Sequence, residues 1–309
     1  MACACGEPRA EISGRFRFDH PIHTDWPAVG DWVAMAARPE ENAATIHAVL
    51  PRRSRFSRNA AGERTEEQVA AANVDLVFLV TSLDGDFNVR RLERYLTVAW
   101  ESGARPVILL NKADLHADTA GYLAEVDAIA FGVPTIALSA ATGQGLEELR
   151  AMVPHGVTGA FLGSSGVGQS SLVNALLGVA RLETRAVRED DSRGRHTTTH
   201  RELIALPDGG MIVDTPGMRE LQIWSGGDGL ETAFSDVEAL AAQCRFGDCS
   251  HAGEPGCAVQ AALEDGTLAQ ERFRGYVKLH REIEYQTQRQ SHSARYIERT
   301  RWKPIAKEI

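Results

Sequence analysis

Short apolar segments alternate with stretches of helical length through the middle of the chain, from about residue 70 to residue 217. The apolar segments have the length of β-strands and cover residues 74–80, 105–111, 133–140, 158–163, 202–207 and 211–217. Helices are predicted between several of them, for example over 89–100 and 170–177. Buried strands that alternate with helices are typical of a parallel sheet covered on both faces. The sequence therefore predicts an α/β domain with its ligand sites at the carboxyl ends of the strands.

The segments on either side of this domain have different patterns. Residues 1–58 predict a small β-barrel or sheet, because Pro, Gly and Asp separate short strand-like runs. These runs cover residues 12–18, 31–35 and 45–50. The segment ends in PRRSRFSR, in which four arginines surround Phe56. From about residue 230 the chain is helical again, and 267–301 predicts one or two amphipathic, arginine-rich helices.

Length and composition indicate a folded, soluble protein. The chain has 309 residues, of which 43% are hydrophobic and 24% are charged, as in ordinary globular proteins. At roughly 100–200 residues per domain, this length indicates two or three domains. No apolar run approaches the ~20 residues of a membrane span, and the N-terminus lacks the apolar core of a secretory signal. We therefore expect a cytoplasmic protein that does not bind a membrane.

Charge is distributed unevenly along the chain. The formal net charge is −9, but residues 267–309 carry ten Lys or Arg and five Asp or Glu, a local net charge of +5. The other 266 residues therefore carry a net charge of −14. A basic tail on an acidic body is either a solvated helix face or a surface for an acidic partner such as RNA.

A glycine-rich segment follows the strand predicted at 158–163 and opens the helix predicted at 170–177. Glycines there let backbone N–H groups point into one concavity, and the helix N-terminus adds a positive potential that favours phosphate. The segment fits the phosphate-loop pattern G-x-x-x-x-G-K-[ST], except that Gln169 stands at the lysine position. Its residues are Gly163, Ser164, Ser165, Gly166, Val167, Gly168, Gln169, Ser170 and Ser171.

Two further motifs end predicted strands and have the chemistry of guanine recognition. They are NKAD, formed by Asn111, Lys112, Ala113 and Asp114, and the pair Ser139 and Ala140. The Asp114 carboxylate can accept hydrogen bonds from guanine N1–H and the 2-amino group together, a pair of donors that adenine lacks. The Asn111 amide can fix the base edge, the lysine stem can cover the ring, and the Ala140 N–H can meet O6. An exposed tetrapeptide without function is the alternative, and an ATP site is disfavoured.

The remaining nucleotide motifs lie after the phosphate loop in the chain. DTPG ends a predicted strand, so that Asp214 can hold a Mg²⁺-bound water and the Gly217 N–H can reach a γ-phosphate. The polar segment GRHTTTH, residues 194–200, offers hydroxyl groups for Mg²⁺. Together the five pieces have the parts of a guanine-nucleotide switch.

Three of the five cysteines lie close together near the C-terminus, with a histidine among them. The spacing is C-x4-C-x-H-x5-C, and the residues are Cys244, Cys249, His251 and Cys257. Four such ligands within fourteen residues suit a closed, tetrahedral structural zinc site. The alternatives are cysteines without metal, or a catalytic zinc, which four protein ligands disfavour because no coordination position stays open. Cys3 and Cys5 have no histidine partner, and we expect them to be free thiols.

The nucleotide motifs occur in an unusual order along the chain: NKAD, SA, GSSGVGQSS, GRHTTTH, DTPG. Because such sites are assembled at strand ends, the same sheet can be cut and rejoined elsewhere, and this order indicates a circularly permuted domain. The permuted order, GRHTTT, DTPG and the Cys-Cys-His-Cys cluster resemble the RsgA/YjeQ family of ribosome small-subunit-dependent GTPases. The similarity extends from PAVGDWV at 27–33 to EPGCAV at 254–259.

The resemblance implies three domains: an OB-fold-like β-barrel over 1–60, a circularly permuted P-loop GTPase domain over 61–225, and an α-helical zinc-binding domain over 226–309. It implies GTP and GDP as ligands, Mg²⁺, one structural Zn²⁺, and a partner in the small ribosomal subunit and its rRNA. We expect a monomer. The N-terminal region is short for an OB barrel, so its completeness stays open. The candidates for RNA contact are residues 52–58 and the basic C-terminal helices.

The resemblance also implies roles for individual residues. It places contacts to Mg²⁺ and the γ-phosphate on Ser170, on Thr198 or Thr199, and on Asp214 and Gly217. Three threonines occur in a row, so the choice between the two stays open. Met218 follows DTPG, where other GTPases have a glutamine that orients the attacking water. We expect His196 to take that catalytic role.

Two functions are predicted, depending on how far Gln169 can replace the lysine of the phosphate loop. A lysine there would bridge the β- and γ-phosphates, and a charge-assisted hydrogen bond contributes ~1.5–3 kcal/mol, or roughly 10–100-fold in affinity. Loss of one such donor lowers a reaction rate by ~10²–10³. We expect a GTP-hydrolysing factor for late maturation of the small subunit, stimulated by that subunit. The alternative is a hydrolysis-deficient protein that binds nucleotide and acts as a binding module on the subunit. An enzyme centred on the Cys/His cluster is a third, weaker interpretation.

Overall fold

The structure is a computed structural model of the chain. It describes residues 2–4, 6–59, 67–182, 202–214 and 227–302, except for the side chains of residues 59 and 290–302. In these ranges no helix combines the length and the apolar character that a membrane span requires.

Two small sheets form the N-terminal part of the protein. One has the strands β1 (Arg9–Ile12), β2 (Val33–Arg38) and β3 (Ala43–Val49), and the other pairs β4 (Arg55–Asn59) with β5 (Glu67–Ala72). In the first sheet β3 lies in the middle, parallel to β1 and antiparallel to β2. The strands predicted at 31–35 and 45–50 are thus confirmed, whereas an OB barrel over 1–60 stays a prediction.

The strand predicted at 12–18 is wrong beyond Ile12, because residues Gly14–Asp19 form helix α1. Ser13 caps this helix, since its hydroxyl accepts a hydrogen bond from the Phe16 N–H at 3.0 Å. Phe16 is 4% exposed and Phe18 is 86% exposed, so only one of the two phenylalanines faces the interior. The alternation in RFRF is typical of a strand, but a capped helical turn that buries one side chain produces the same pattern.

A six-stranded sheet forms the centre of the protein. Its strands are β6 (Leu76–Ser82), β7 (Arg105–Asn111), β8 (Thr135–Ala137), β9 (Thr158–Gly163), β10 (Glu202–Ala205) and β11 (Met211–Asp214). They lie in the order β10-β11-β9-β6-β7-β8, and all neighbours are parallel except β10 and β11. The prediction of a parallel sheet is therefore wrong at this edge. Only residues 206–210 join β10 to β11, and a parallel pair would need a crossover of a dozen or more residues.

Helices cover both faces of this sheet. They are α2 (Val89–Ser102), α3 (Ala120–Asp127), α4 (Leu146–Ala151) and α5 (Gln169–Leu177). Alternate residues of β6 belong to two separate hydrophobic clusters, Val77 and Leu79 to one, Phe78 and Val80 to the other. The first cluster contains buried residues of α2 and the C-terminal helices, and the second contains buried residues of α4 and α5. The buried strands predicted between helices are confirmed.

The C-terminal part consists of helices, of which the first and the last contact α2. They are α6 (Asp228–Ala233), α7 (Ser235–Ala241), α8 (Ala258–Glu264) and α9 (Gln270–Trp302), so the basic segment predicted at 267–301 forms one helix. Arg272 of α9 is 4% exposed, and it donates hydrogen bonds to Glu93 of α2 at 3.0 Å and to Asp236 of α7 at 2.8 Å. The same guanidinium lies 4.0 Å from the ring centroid of Phe234. Arg272 therefore joins three helices through a buried ionic network.

We expect Arg272→Ala to lower the free energy of unfolding by about 3–5 kcal/mol, because it removes the buried cation that pairs with both Glu93 and Asp236. Urea unfolding followed by circular dichroism measures this change. Arg274→Ala is the matched control, since Arg274 lies on the same helix with its side chain 73% exposed. Equal unfolding midpoints for the two variants would contradict the structural role of the network.

Candidate functional site

The predicted nucleotide motifs lie along one edge of the central sheet. β7 ends at Asn111, β9 ends at Gly163, and β11 ends at Asp214, while Ser139 comes shortly after β8. These strands are parallel, so their carboxyl ends meet at the same edge. The edge therefore brings together the base motifs, the phosphate loop and the first residue of DTPG.

The phosphate loop fits between the strands only because it contains glycine at two crowded positions. A Cβ atom on Gly168 would lie 2.3 Å from Nδ2 of Asn111, and a Cβ atom on Gly163 would lie 2.4 Å from the carbonyl oxygen of Val80. Gly168 also has φ +95°, in the left-handed region. The loop thus lies in direct contact with the base motif, and α5 begins at the next residue, Gln169.

Asn111 connects the two halves of the site. Its side chain is 2% exposed, and its amide donates to the carbonyl oxygen of Val167 at 2.7 Å. Its Oδ1 accepts a hydrogen bond from the N–H of Ala140 at 3.3 Å. One buried amide therefore holds NKAD, the phosphate loop and the Ser139–Ala140 turn together.

Of the other residues of NKAD, Ala113 and Lys112 form contacts that hold the site together, and Asp114 offers an exposed carboxylate. The N–H of Ala113 donates to the Leu138 carbonyl at 3.0 Å, which joins NKAD to the segment after β8. The Lys112 ammonium donates to the Gly166 carbonyl at 2.9 Å, so its stem extends from the base motif to the phosphate loop. Asp114 is exposed, as a carboxylate that recognises a base must be before the base binds.

Ser139 is fully buried, and its hydroxyl accepts hydrogen bonds from the N–H groups of Ala141 and Thr142 at 3.2 Å each. Its role in the structure is to shape the turn that presents Ala140. This turn lies beside Asn111, as the motif predicts.

The Gln169 side chain places a buried amide group beside the phosphate loop. Its Nε2 is buried, and no hydrogen-bond partner for it occurs among the residues that the structure describes. The atom lies 3.3 Å from the position of a Cβ on Gly163, so the side chain folds back toward the start of the loop. An unpaired donor in this position is available to a phosphate oxygen.

The loop after β6, residues 83–88, also reaches the phosphate loop, although no sequence motif pointed to it. Asp84 accepts a hydrogen bond from Ser82 at 2.7 Å and pairs with the Lys112 ammonium. Asp86 forms an ion pair with Arg91 at 3.0 Å, and Arg91 donates to the Ser164 hydroxyl at 2.7 Å. The available signal was positional, since DGD comes directly after an apolar strand as the other motifs do.

The two carboxylates of this loop have different pKa values. Burial raises the pKa of Asp84, but the hydrogen bonds from Lys112 and Ser82 outweigh burial and hold the pKa below its ordinary value. Burial dominates at Asp86 and raises its pKa, although the charge of Arg91 opposes the change. The surroundings therefore stabilise the ionised form of Asp84 more than the ionised form of Asp86.

Several predicted site residues lie outside the described part of the chain. They are His196, Thr198, Thr199 and Gly217. Their roles stay predictions. Ser165 and Gly166 are exposed on the loop, and Ser170 and Ser171 are half-buried in the first turn of α5.

The predicted zinc ligands converge on one point. The ligand atoms of Cys244, Cys249, His251 and Cys257 all lie within 4.8 Å of one another. The Sγ atoms of Cys244 and Cys257 are 3.8 Å apart, and Nδ1 of His251 lies 3.6 Å and 3.5 Å from these two sulfurs. Tetrahedral zinc with ordinary bond lengths requires about 3.8 Å between two sulfurs and about 3.6 Å between sulfur and nitrogen. Cys244, His251 and Cys257 therefore have the spacing that the ion requires, and Cys249 lies within 4.8 Å of them as the fourth ligand.

Glu254 shapes the loop that carries His251. Its carboxylate accepts hydrogen bonds from the N–H groups of Ser250 and Ala252 at 2.8 Å each, and from the Ser250 hydroxyl. The Ser250 hydrogen bonds are the main reason that the pKa of Glu254 falls to about 2.

At the other end of the chain Cys3 is in a disulfide, so the expected free thiol is wrong for Cys3.

Comparison with known proteins gives matches over nearly the whole chain. The profile of the RsgA GTPase family matches residues 49–224. A protein of Opitutus terrae named small ribosomal subunit biogenesis GTPase RsgA is 51% identical over 99% of this chain and 86% of its own length. One of Lactiplantibacillus plantarum, named small ribosomal subunit biogenesis GTPase RsgA 2, is 51% identical over 91% of this chain and 79% of its own length.

Two solved structures have the same fold. The crystal structure of YjeQ from Thermotoga maritima has a TM-score of 0.65 and 30% identity, and the match covers 89% of each chain. The structure of YloQ, described as a circularly permuted GTPase, has a TM-score of 0.62 and 26% identity over 89% of this chain and 85% of YloQ.

We expect Gly168→Ala to abolish binding of GDP, because the added Cβ displaces the Asn111 amide that joins the two halves of the site. Titration with a fluorescent GDP derivative measures the affinity. Gly178→Ala is the matched control: Gly178 also has a positive φ, +69°, but nothing lies within 4 Å of its Cβ position. Equal GDP affinity in both variants would show that contact with Asn111 does not matter for binding.

Proposed function

Because the chain belongs to the RsgA GTPase family, we propose that it binds and hydrolyses GTP while it acts on the maturing small ribosomal subunit. The match confirms the resemblance stated from the motifs, and the likeness to YloQ confirms the circularly permuted GTPase fold. The observation that carries the proposal is the pair of hydrogen bonds of the Asn111 amide, which donates to the Val167 carbonyl and accepts from the Ala140 N–H. They join the guanine motif to the phosphate loop although the two occur in permuted order.

The base would be recognised by NKAD and the Ser139–Ala140 turn. Asp114 is exposed and accepts from guanine N1–H and the 2-amino group, whereas adenine offers no such pair of donors. The Lys112 stem, fixed between Asp84 and Gly166, covers one face of the ring. These contacts favour GTP and GDP over adenine nucleotides.

The phosphates would lie in the loop between Gly163 and Ser171, against its backbone N–H groups and the N-terminus of α5. The half-buried Ser170 hydroxyl would bind Mg²⁺ directly, and the Asp214 carboxylate would hold a water bound to the ion. When bound, Mg²⁺ neutralises negative charge on the β- and γ-phosphate oxygens. His196, Thr198 or Thr199, and Gly217 are proposed to complete the site as the family motif implies.

Gln169 favours a second candidate function. Its buried amide can donate a hydrogen bond to phosphate but supplies no charge. Catalysis depends on charge more than binding does, because charge builds up in the transition state. A chain that binds GTP and hydrolyses it very slowly would act as a nucleotide-dependent binding module on the same subunit.

Contact with rRNA is proposed for the exposed arginines of the segment 52–58. Arg53 and Arg55 are accessible on its surface, whereas Arg52 is held by Asp31 at 2.7 Å and is not available. Phe56 is 1% exposed, so it packs in the core and does not stack on bases.

A monomer in the cytoplasm, where ribosomal subunits mature, is part of the same proposal.

One structural zinc ion is proposed for the cysteine cluster. Cys244 lies after α7, and Cys257 precedes α8, where its sulfur also accepts a hydrogen bond from the Gln260 N–H at 3.4 Å. Four protein ligands leave no open position, so the ion would fix the loop between α7 and α8 and take no part in hydrolysis.

We expect purified small subunits to stimulate GTP turnover, measured as phosphate release, and Gln169→Lys to raise the stimulated rate by ~10²–10³, the usual effect of one charged donor in the transition state. Ala175→Lys, which adds a lysine to the same helix outside the phosphate loop, is the control for a general effect of the added charge on α5. Stimulation that appears only in Gln169→Lys would favour the binding module over the enzyme. No GTP turnover in either protein, with or without subunits, would overturn the proposed activity.

We expect one zinc ion per chain by elemental analysis, and less than half of that in Cys249→Ser. The variant should unfold its C-terminal helices at a lower temperature, since metal binding and folding are coupled. Asp248→Asn changes the neighbouring exposed residue and should keep the ion. Equal zinc content in Cys249→Ser and Asp248→Asn would contradict the assignment of the ligands.

A further inference from the structure

Two basic side chains reach the phosphate loop from outside, and each is paired with a carboxylate of the loop after β6. Lys112 donates to the Gly166 carbonyl and pairs with Asp84. Arg91, on α2, donates to the Ser164 hydroxyl and pairs with Asp86. The two ion pairs thus occupy adjacent places at the end of the central strand β6.

The two cations are not equally available to a nucleotide. Lys112 belongs to the guanine motif and donates to a backbone carbonyl of the loop, so its ammonium is already engaged between the base motif and the loop. Arg91 touches the loop through the Ser164 hydroxyl, one residue beyond Gly163, while its other contacts are the carboxylate and the backbone carbonyl of Asp86, and its side chain is one-third exposed. Because Gln169 is neutral, the phosphate loop itself brings no cation to this place.

We propose that Arg91 is the cation of the phosphate site, and that its guanidinium exchanges the Asp86 carboxylate for a phosphate oxygen when a guanine nucleotide binds. The inference rests on the proposed function and names the residue that supplies the charge Gln169 lacks. A guanidinium is suited to this exchange, because its planar fork binds carboxylate and phosphate in the same bidentate geometry.

The surroundings of Asp86 make it a weak competitor for the arginine. Its Oδ2 is buried, and no hydrogen-bond partner for that atom occurs in the described part of the chain. Burial also raises the pKa of this carboxyl, so its ionised form gains less from its surroundings than ionised Asp84 does. Asp86 holds Arg91 beside Ser164 until a more highly charged ligand takes its place.

The test compares the affinities of the full chain for guanosine, GDP and GTP in Mg²⁺ buffer, measured by calorimetry. Arg91→Gln should lower GTP affinity by about 10–100-fold, the range for loss of a charge-assisted hydrogen bond, and leave guanosine affinity unchanged. Asp86→Asn should tighten GTP binding, because it removes the competitor. Gln169→Lys in the Arg91→Gln background should restore GTP affinity.

Arg90→Gln is the matched control, since Arg90 is the preceding residue of α2 and bonds Glu93, a residue of its own helix. If the ion pair only supports the fold, Arg91→Gln and Asp86→Asn will both weaken binding of guanosine, GDP and GTP by the same factor, which would overturn the inference. Unchanged GTP affinity in Arg91→Gln would overturn it as well. If the unmodified chain binds guanosine nucleotides no better than adenosine nucleotides, the proposed function itself fails.

Discussion

The site depends on one buried amide. Asn111 has a donor and an acceptor that are both out of contact with water, and leaving either without a partner would cost ~1–3 kcal/mol. Its partners are a carbonyl of the phosphate loop and an N–H of the turn after β8, so the three segments can satisfy it only in one relative placement. Gly168 makes that placement sterically possible, because a side chain there would occupy the position of the amide. The geometry of base and phosphate recognition is thus set before any ligand binds.

This constraint explains why the permuted order of motifs does not matter to the site. The central strand β6 lies between β9 and β7, and the carboxyl ends of all three strands meet at the same edge whatever order the chain visits them in. Permutation alters the path of the chain beyond the site, which continues from β11 toward the C-terminal helices. Helix α2 contacts both regions, through Arg91 at the phosphate loop and through Arg94, which pairs with Glu282 of α9 at 2.5 Å.

The sequence was sufficient where a residue's role can be inferred from local chemistry and spacing. NKAD, the phosphate loop and the four zinc ligands were all found from sequence, and the structure brings each group together. The sequence was insufficient where contacts between distant segments determine the local structure. The alternating RFRF segment forms a helix because Ser13 caps it and Phe16 is buried. The contact of Arg91 with Ser164 joins residues 73 positions apart and carries no motif, so no local pattern predicts it.

The edge strand β10 and the Arg272 network illustrate the same limit. The apolar run at 202–207 has the composition of a parallel strand, but the short connection to β11 dictates an antiparallel pair. A buried arginine in a basic helix cannot be distinguished from its exposed neighbours by sequence, because its burial depends on Glu93, which lies 179 positions away. Side chains that join distant segments are therefore the part of this protein that only the structure shows.

The most direct measurement of nucleotide recognition is a calorimetric titration of the unmodified chain with GTP and, separately, with ATP, in the presence of Mg²⁺. The exposed Asp114 carboxylate beside Lys112 and the turn held by Asn111 predict one GTP per chain and no detectable binding of ATP. Binding of ATP as tight as that of GTP would contradict the assignment of this edge of the sheet as a guanine-nucleotide site.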